Sequence, residues 1–503
     1  MRKISATMAT QHPDNATAPF WDSSGSPFIG VHKELTDCMS CFRDLGIKEF
    51  MWDWEGKYAD GAVVDKMFSN FHAYFSQAKL GRDKFLTFRI PNIWEEKGYS
   101  LMQAMAAILT SEDFARDLHF PARPLFEVIL PMTESADQLM QMHEAFEKLA
   151  RFKSSEFDVA SAPNTDYLEI IPLVESATGQ TNIKLLLEKY VDLHQAHFGR
   201  KPEYIRPFLA RSDPALVAGM LATVLSGRVA LSQVYEFAGE QNLPVFPIAG
   251  VGGLPFRGGL TPDTVGQFAT AHPGMRTVSL QSSFRFDHPL PHVKAAIRQL
   301  ENLLPNTKPH IIPPATQIRL EDICRRTTDY YQASIHALAG DLAGIFGAVP
   351  KRRERRQHIG LLAYGRQMGT SPLPRAITFT AGFYSIGVPP EFIGIGRALA
   401  DLSSSELGLI DTEYPFLKSD LDRAGRYLNT DNLAVLAGRN HAWKQIQTDI
   451  ALTEKILGIT FGPRTHAEKA HRNLTSNALL FKNNRVSLTN LIAETAILRN
   501  SVG

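Results

Sequence analysis

The chain alternates short apolar runs with longer stretches in which apolar residues recur at helical spacing. The short runs are nearly continuous in Phe, Ile, Leu and Val, as is typical of strands buried on both faces. They predict eight strands, at residues 4–11, 48–53, 84–90, 125–131, 168–174, 205–210, 245–249 and 277–282. Two helical faces stand out between them, Val64, Met67, Phe68, Phe71 with Phe75, and Leu139, Met142, Phe146 with Leu149.

The spacing of these strands indicates a barrel. Eight strands at intervals of roughly 32 to 44 residues, each followed by a helix, match a (β/α)8 TIM-type barrel of about 250–300 residues. An open doubly wound sheet is the alternative, although it rarely needs eight such even units. We predict the barrel at residues 1–290.

A large C-terminal helical region is predicted at residues 291–503, where the strand pattern stops. Trp443, Ile446, Ile450 and Leu457 form one apolar stripe there, and Gly458 ends it. No linker rich in Pro, Gly or Ser separates the two parts, so we expect the helical region to pack on the barrel.

Composition and charge narrow the class of protein. The 503 residues are 44% hydrophobic and carry a net charge of +1, which favours a large core and argues against a nucleic-acid partner. Three cysteines cannot build a disulfide framework, and we expect Cys38 and Cys41 to be packed thiols on a helix. No apolar run is long enough for a membrane span or a signal core, so we expect a cytoplasmic protein without a membrane partner.

The basic run Lys351–Arg356 is predicted to be a solvated helix face, with an anion contact as the alternative.

Polar and charged residues follow nearly every predicted strand. They are His12, Asp53 with Glu55, Arg89, Thr133, Glu175, Asp213, Arg257, and Gln281 with Arg285. One such residue is usually the solvated start of a loop, but a barrel brings the carboxyl ends of all its strands to one face. The sequence therefore predicts that these side chains share a site.

Two of these carboxylates predict a metal site. Glu175 and Asp213 follow neighbouring strands, so both can contact one ion. Two carboxylates completed by water and substrate oxygens suit Mg²⁺ or Mn²⁺, whereas Zn²⁺ requires clustered His or Cys. The alternative is two unrelated carboxylates, each in a salt bridge of its own.

The segment PVFPIAGVGGLPFRGG, residues 244–259, predicts an anion site, and we name its residues 250–259 the glycine loop. Glycines such as Gly252, Gly253 and Gly258 let the backbone approach a ligand, and Arg257 can hold an anion through two parallel hydrogen bonds. A plain turn is the alternative. His12 is the strand-end group that exchanges protons near neutral pH. Together these groups indicate a small, multiply anionic substrate, such as a phosphorylated carboxylate.

Six motifs carry a resemblance that runs from His12 to the last residue. They are TQHPDN (10–15), EIIPLVES (169–176), RPFLARSDPAL (206–216), GVGGLPFRGG (250–259), QSSFRFD (281–287) and RNSVG (499–503). In this order they are similar to those of the archaeal-type phosphoenolpyruvate carboxylases, a form much shorter than the plant and bacterial type. The resemblance implies that phosphoenolpyruvate and bicarbonate give oxaloacetate and phosphate, through carboxyphosphate and a metal-bound enolate. It also implies Mg²⁺ or Mn²⁺ as cofactor and a homotetramer.

The resemblance assigns roles to individual residues. His12 resembles the catalytic histidine that takes the carboxyphosphate proton, and Glu175 and Asp213 resemble the metal ligands. Arg257 resembles the arginine that holds the transferring phosphoryl group. Arg375, in LPRAITF, resembles a further arginine near the phosphate, delivered from the helical region.

The chain departs from the larger form at two positions. Val251 stands where that form has a second arginine in its glycine run, and Leu216 stands where it has a lysine after the metal-binding aspartate. We expect Arg211 or Arg285 to supply the missing charge beside the substrate.

The terminal RNSVG resembles a motif whose asparagine helps to bind the inhibitor aspartate in the larger form. We therefore expect Asn500 to lie near Arg257 and the tail to shape the rim of the catalytic site.

Two other functions fit part of these observations. A Mg²⁺-dependent citrate-lyase-like aldolase acting on a pyruvate or oxaloacetate enolate would share the carboxylate pair and the arginine, but would need no group to manage carboxyphosphate. A catalytically dead metabolite sensor would keep the anion pocket, but the loss of a metal ligand or of the histidine would mark it, and none is missing.

Overall fold

The structure is a computed structural model that describes residues 2–56, 59–95, 98–120, 122–157, 166–338, 340–354, 367–368 and 371–503. At its centre lies a closed barrel of eight parallel strands in chain order, in which the last strand pairs with the first. The strands are β1 Thr7–Thr10, β2 Glu49–Asp53, β3 Phe85–Arg89, β4 Glu127–Leu130, β5 Glu169–Val174, β6 Phe208–Ala210, β7 Ile248–Gly250 and β8 Thr277–Leu280. Each predicted run contains or overlaps one of them, so the predicted (β/α)8 fold is confirmed.

Helices follow the strands around the outside of the barrel. They are α1 Glu34–Arg43, α2 Val63–Asn70, α3 His72–Gln77, α4 Tyr99–Asp117, α5 Ala136–Glu156, α6 Ala177–Thr181, α7 Ile183–Phe198, α8 Ser212–Ala218, α9 Met220–Gln241, α10 Val265–Ala271, α11 Ser282–Phe286 and α12 Leu290–Leu303. Among the described residues, no helix combines the length and the apolar character that crossing a bilayer requires.

The apolar face predicted at residues 64–75 lies on two helices rather than one. Phe71, with φ −130° and ψ 32°, separates α2 from α3. Val64, Met67, Phe68 and Phe75 are nonetheless all buried, and the Phe68 and Phe75 rings pack edge to face at 5.6 Å. The break therefore changes the chain direction while keeping this face in the core.

The barrel interior is apolar in the middle and charged at its amino-terminal end. Side chains such as Met8, Ile129 and Ile248 fill the centre. At the amino-terminal end, buried Arg206 donates to Glu49, the first residue of β2, and to Glu127, the first residue of β4, at 2.8 Å each. Charges at this end of a TIM barrel stabilise the fold rather than serve catalysis.

The C-terminal region is mostly helical, as predicted, with a short antiparallel pair of strands. Its elements are α13 Pro314–Leu338, α14 Ala343–Ala348, β9 Gln367–Met368, β10 Ser371–Pro372, α15 Ala376–Ser385, α16 Ile395–Asp401, α17 Ser404–Glu413, α18 Leu417–Gly425, α19 Thr430–Ala437, α20 His441–Leu457, α21 His466–Leu480 and α22 Arg485–Leu498. The predicted stripe around Trp443 lies on α20, which ends at Gly458 in the left-handed conformation.

The helical region packs on one side of the barrel. Its apolar core includes Leu216 of α8 and Leu221 and Leu225 of α9, so barrel and helical residues share one buried cluster. The apolar side chains of α12 belong instead to the core around the barrel. The boundary at residue 290 stays a prediction, and the packing of α12 favours a division a few residues later.

Candidate active site

A cavity of about 480 Å³ opens at the carboxyl ends of the barrel strands. The barrel contributes predicted strand-end residues to its lining, among them His12, Arg89, Glu175, Asp213, Arg257 and Gln281. The helical region contributes the rest, including Phe346, Val349 and residues 375–378. The predicted shared site is therefore one cavity whose walls come from both parts of the chain.

His12 follows β1 and is surrounded by positive charge. Its Nδ1 lies 2.8 Å from Thr10 Oγ1. Removal from bulk water and the nearby Arg89 lower the pKa of His12 well below its ordinary value, and Arg257 and Arg375 act in the same direction. The imidazole is therefore neutral at pH 7 and has a lone pair that can accept a proton.

Two carboxylates hold the arginines beside His12. Asp53 and Arg89 are register partners on β2 and β3, and Arg89 Nε and Nη2 donate to the two Asp53 oxygens at 2.8 Å each. Arg89 Nη1 also pairs with Glu55 at 2.7 Å. Glu55 in turn accepts from Arg375 Nη2 at 3.2 Å. This bidentate geometry fixes the orientation of the Arg89 guanidinium before any ligand binds.

Arg257 is buried at the base of the glycine loop, where a 3₁₀ turn, Pro255–Arg257, positions it. Its Nε donates to Ser212 Oγ at 3.1 Å and its Nη1 to Asp14 Oδ2 at 3.3 Å. The same guanidinium also donates to the Gln281 side chain and to the backbone oxygen of Gly503. Four acceptors from distant parts of the chain therefore fix this side chain.

The two predicted metal ligands reach the same cavity. Glu175 follows β5 and Asp213 lies in the first turn of α8, directly after the neighbouring strand β6. The backbone N–H of Met132, a residue with φ of 49°, donates to Glu175 Oε2 at 2.8 Å. No group of three or more His, Cys, Asp or Glu side chains within the described ranges is arranged to hold a metal. Two carboxylates beside an open cavity suit a Mg²⁺-type ion, which keeps several positions for water and substrate.

The sequence profile described as "Phosphoenolpyruvate carboxylase" matches residues 4–503. The chain belongs to this family. It is 46% identical to the phosphoenolpyruvate carboxylase of Leuconostoc mesenteroides, over 100% of this chain and 99% of that protein. Identity to the enzyme of Metallosphaera sedula is 36%, over 100% of both chains, and to that of Pyrococcus abyssi 35%, over 85% of this chain and 89% of that protein. The resemblance to the archaeal type is thus confirmed, and members of this family generally use a divalent metal ion.

Most glycines of the glycine loop pack against neighbouring residues rather than line the cavity. A Cβ at Gly252 would lie 2.8 Å from the Arg257 guanidinium carbon, so this position brings the backbone against the side chain. Gly258 has φ of +117°, and a Cβ there would lie 2.7 Å from Val251 Cγ1. Among the glycines of the glycine loop, Gly250 belongs to the described lining of the cavity. Gly252, Gly253 and Gly258 do not.

The structure does not bring Arg285 to the cavity. Its buried guanidinium donates from Nη1 to Asp37 Oδ1 at 2.6 Å, from Nη1 to Cys41 Sγ at 2.8 Å and from Nη2 to the Thr10 oxygen at 2.7 Å. Cys38 and Cys41 are both buried and free, as predicted. Arg285 therefore ties helix α11 to helix α1, while Arg211 lines a different, smaller cavity.

The basic run supplies positive charge to the cavity, which fits the alternative of an anion contact better than the solvated helix face. The predicted solvated helix face is wrong for Lys351, Arg352 and Arg353, which are not helical and line the cavity. Arg353 is buried because Asp37 and Glu34 on α1 pair with it at 2.7 and 3.3 Å. Arg355 and Arg356 lie outside the described residues. The local sequence around this basic run does not indicate that Arg353 pairs with carboxylates on α1, which are far away along the chain.

The tail reaches Arg257, but through Gly503. Ser501, Val502 and Gly503 are buried, and the Val502 N–H donates to the Asp14 oxygen at 2.8 Å. Asn500 is exposed, with φ of 56°, and its own N–H bonds within the end of α22. The tail therefore shapes the surroundings of Arg257, as expected, whereas the contact is made by a different residue from the one expected.

Proposed function

We propose that this chain catalyses the carboxylation of phosphoenolpyruvate by bicarbonate to oxaloacetate and phosphate. The observation that carries this proposal is the single cavity in which a neutral histidine, His12, lies among Arg89, Arg257 and Arg375. Cations suit the phosphate and carboxylate groups of the substrate, and a neutral base suits the proton of carboxyphosphate.

Glu175 and Asp213 are the proposed ligands of a divalent cation, Mg²⁺ or Mn²⁺. When bound, the ion would supply neutralisation of the negative charge that develops on the enolate oxygen. The Met132 N–H donates to Glu175 Oε2 and so fixes the orientation of this carboxylate beside the cavity.

Arg257 and Arg375 are the proposed contacts of the transferring phosphoryl group. A bicarbonate oxygen attacks phosphorus, so the new P–O bond forms as the bond to the enolate oxygen breaks. Because Arg257 is fixed by four acceptors, its charge needs no reorganisation during this step. Arg375 contributes positive charge from the position just before α15, and Arg89 does so from the end of β3.

His12 is the proposed proton acceptor of the second half-reaction. It takes the proton of carboxyphosphate as the C–O bond to the phosphate breaks, which gives CO₂ and phosphate. The enolate methylene carbon then attacks CO₂ to form oxaloacetate. Bound phosphoenolpyruvate, a trianion, offsets the positive charge of the arginines that lower the pKa of His12. His12 is therefore a stronger base when the substrate is bound.

Apolar walls support the capture of CO₂. Met51 and Leu173 from the barrel, with Phe346, Val349 and Ile377 from the helical region, line the same cavity. They would limit the access of water, whose proton would convert the enolate to pyruvate. On the family resemblance alone we also propose a cytoplasmic homotetramer, which sedimentation velocity of the purified chain tests.

A coupled assay tests the proposed reaction. Oxaloacetate and phosphate are followed together, with and without bicarbonate and Mg²⁺, and both products should require both additions. Phosphate release that does not depend on bicarbonate would overturn the proposal. Cleavage of a C–C bond in a condensation product of oxaloacetate, with no release of phosphate from phosphoenolpyruvate, would overturn it in favour of an aldolase.

Variants of the two carboxylates test the metal assignment. Glu175→Gln or Asp213→Asn should nearly abolish turnover in a folded protein, since each removes one negative ligand. Glu134→Gln, at an exposed carboxylate in the loop after β4, is the matched control and should retain turnover. Near-normal activity of either test variant at ordinary Mg²⁺ concentrations would mean that the pair does not hold the ion.

A further inference from the structure

A second cavity, of about 30 Å³, lies against the glycine loop. Its described lining shares no residue with the main cavity. Gly258 and Gly259 form one wall, α10 and the residues after it a second, and α18 with the preceding segment a third. Arg211, which follows β6 directly, and Arg228 on α9 are charged side chains from the barrel part that line it.

Arg211 is a buried cation that shares its carboxylate counter-charge, Asp420, with Arg423. Its Nε and Nη1 atoms are inaccessible to solvent, and no side chain or carbonyl within the described ranges accepts a hydrogen bond from either. Almost every other buried guanidinium in the molecule has a carboxylate or carbonyl partner, such as Asp37 for Arg285. Arginine keeps its proton in proteins, and a buried unpaired charge is costly. An anion that accepts from Nε and Nη1 would therefore stabilise this guanidinium.

The other charged groups around this cavity pair with one another. Arg228 pairs with Glu413 at 3.2 Å, and Arg423 pairs with Asp420 at 3.0 Å. His272 donates from Nδ1 to the Phe268 oxygen at 3.0 Å, and burial lowers its pKa to about 3, so it is neutral. The described lining thus carries one positive charge in excess.

The size of the cavity selects the class of ligand. A water molecule needs roughly 10–15 Å³ of such volume, so this cavity of about 30 Å³ has room for two to three atoms of that size. Phosphoenolpyruvate and dicarboxylates are too large for this volume. A monatomic anion meets both the charge and the space.

We propose that this cavity is a halide-binding site in which Arg211 donates hydrogen bonds from Nε and Nη1 to the ion. The ion lies against the loop that carries Arg257, and Arg423 already donates to the Gly259 oxygen from the same side, at 3.2 and 3.3 Å. Bound halide therefore stabilises the glycine loop from behind, outside the cavity that takes the substrate.

Bromide is the probe that tests this site. Crystals of the full chain are grown with sodium bromide as the sole halide, and anomalous data are collected at the bromine edge. Wild-type protein should give an anomalous peak within hydrogen-bonding distance of Arg211 Nε or Nη1, and Arg211→Gln should lose it. Arg276→Gln is the matched control because that arginine bonds the Leu304 and Thr307 oxygens elsewhere, so the peak should remain.

A second variant and a solution measurement keep the test decisive. Ala271→Leu adds bulk to the cavity lining without removing charge and should also lose the peak. In solution, the wild-type Tm should rise with bromide and saturate, relative to gluconate at equal ionic strength, and both variants should lose this rise. A wild-type map with no anomalous peak at Arg211, including one in which water fills the cavity, overturns the proposal. So does a Tm that is equal in bromide and gluconate, or a peak that persists in Ala271→Leu.

Discussion

His12 combines two properties that separate its role from that of the arginines. It is neutral in the free protein, because removal from bulk water and the charge of Arg89 lower its pKa well below the ordinary value. It also lies in the same cavity as the carboxylates Glu175 and Asp213. Phosphoryl transfer depends on positive charge, which the arginines supply, whereas deprotonation of carboxyphosphate requires a base. In the proposed mechanism the two half-reactions therefore depend on different side chains.

Replacing His12 by Asn should uncouple these half-reactions. The variant should still transfer the phosphoryl group to bicarbonate, and hydrolysis of the resulting carboxyphosphate by water should release phosphate and return bicarbonate. Because this route gives the enolate no CO₂ to capture, the enolate should be protonated to pyruvate, with little oxaloacetate. The measurement is the ratio of oxaloacetate to phosphate in one reaction mixture. If phosphate release stops as well, His12 acts before carboxyphosphate forms.

At the scale of elements, the glycine loop and the C-terminal tail meet at one guanidinium. The loop places Arg257 through its 3₁₀ turn, and the tail supplies one of the four acceptors of Arg257. Neighbouring glycines of the loop differ in the space around them. A Cβ at Gly252 would meet the guanidinium at 2.8 Å, whereas a Cβ at Gly253 would find its nearest neighbour, Ser283 Oγ, at 3.4 Å.

Gly252→Ala should lower turnover on the order of 10²-fold, because it displaces a preorganised donor to the phosphoryl group. Gly253→Ala is the matched substitution one residue away and should have a much smaller effect, since its Cβ makes an ordinary contact. Steady-state kinetics with phosphoenolpyruvate compares the two. Equal losses in both variants would indicate that the loop backbone contacts the substrate directly.

Gly503→Ala tests the tail. A Cβ at Gly503 would lie 2.1 Å from the Ile377 oxygen, so the residue must move and release Arg257. Turnover should fall on the order of tenfold or more, as expected when one support of an oxyanion-type contact is lost. The thermal midpoint should change little, because chain ends add little to global stability. Gly408→Ala, whose Cβ would meet open space, is the control. If Gly503→Ala shows wild-type kinetics, the contact between the tail and Arg257 does not contribute to turnover.

At the scale of the whole molecule, buried histidines link stability to pH. Burial lowers the pKa values of His143 and His272 to about 3 and that of His288 to about 4. Below pH 6.5 the unfolded chain takes up protons at these positions and the folded chain does not, so each destabilises the fold as the pH falls. Carboxyl groups oppose this effect, since burial raises the pKa of Glu169 to about 8. The change in unfolding free energy as the pH falls is therefore the sum of opposing contributions from the histidines and the carboxyl groups.

A single substitution can separate the contribution of one histidine to this pH dependence. His143, whose Nε2 lies 2.8 Å from the Tyr190 hydroxyl, is buried away from the active site. Between pH 6.5 and 4, wild type should lose about 1.4 kcal/mol of unfolding free energy per pH unit through this group alone. His143→Gln should lack that part of the slope, and His441→Gln, at an exposed position, should keep it. Urea unfolding at several pH values measures the slopes, and equal slopes in wild type and His143→Gln would contradict the assignment.

The sequence by itself determined the barrel and the residues at its strand ends. Apolar runs mark strands because a parallel strand in a barrel is buried on both faces, a property of each run alone. Since every strand of a barrel delivers its carboxyl end to one face, His12, Arg89, Glu175 and Asp213 could be assigned to one site without knowledge of their contacts. The six motifs, taken in their order along the chain, also indicated the family to which the chain belongs.

Only the tertiary structure decided which way the long charged side chains point. Arg285 and Arg375 look alike in the sequence, yet Arg285 turns to Asp37, 248 residues away, while Arg375 lines the cavity. Arg353 is buried by the same Asp37, 316 residues distant. The pairing of a flexible cation depends on which carboxylate the fold brings within reach, and sequence spacing does not encode that distance. For the same reason, the tail contact at Arg257 came from Gly503, whose lack of a side chain suits close packing against α15, rather than from Asn500.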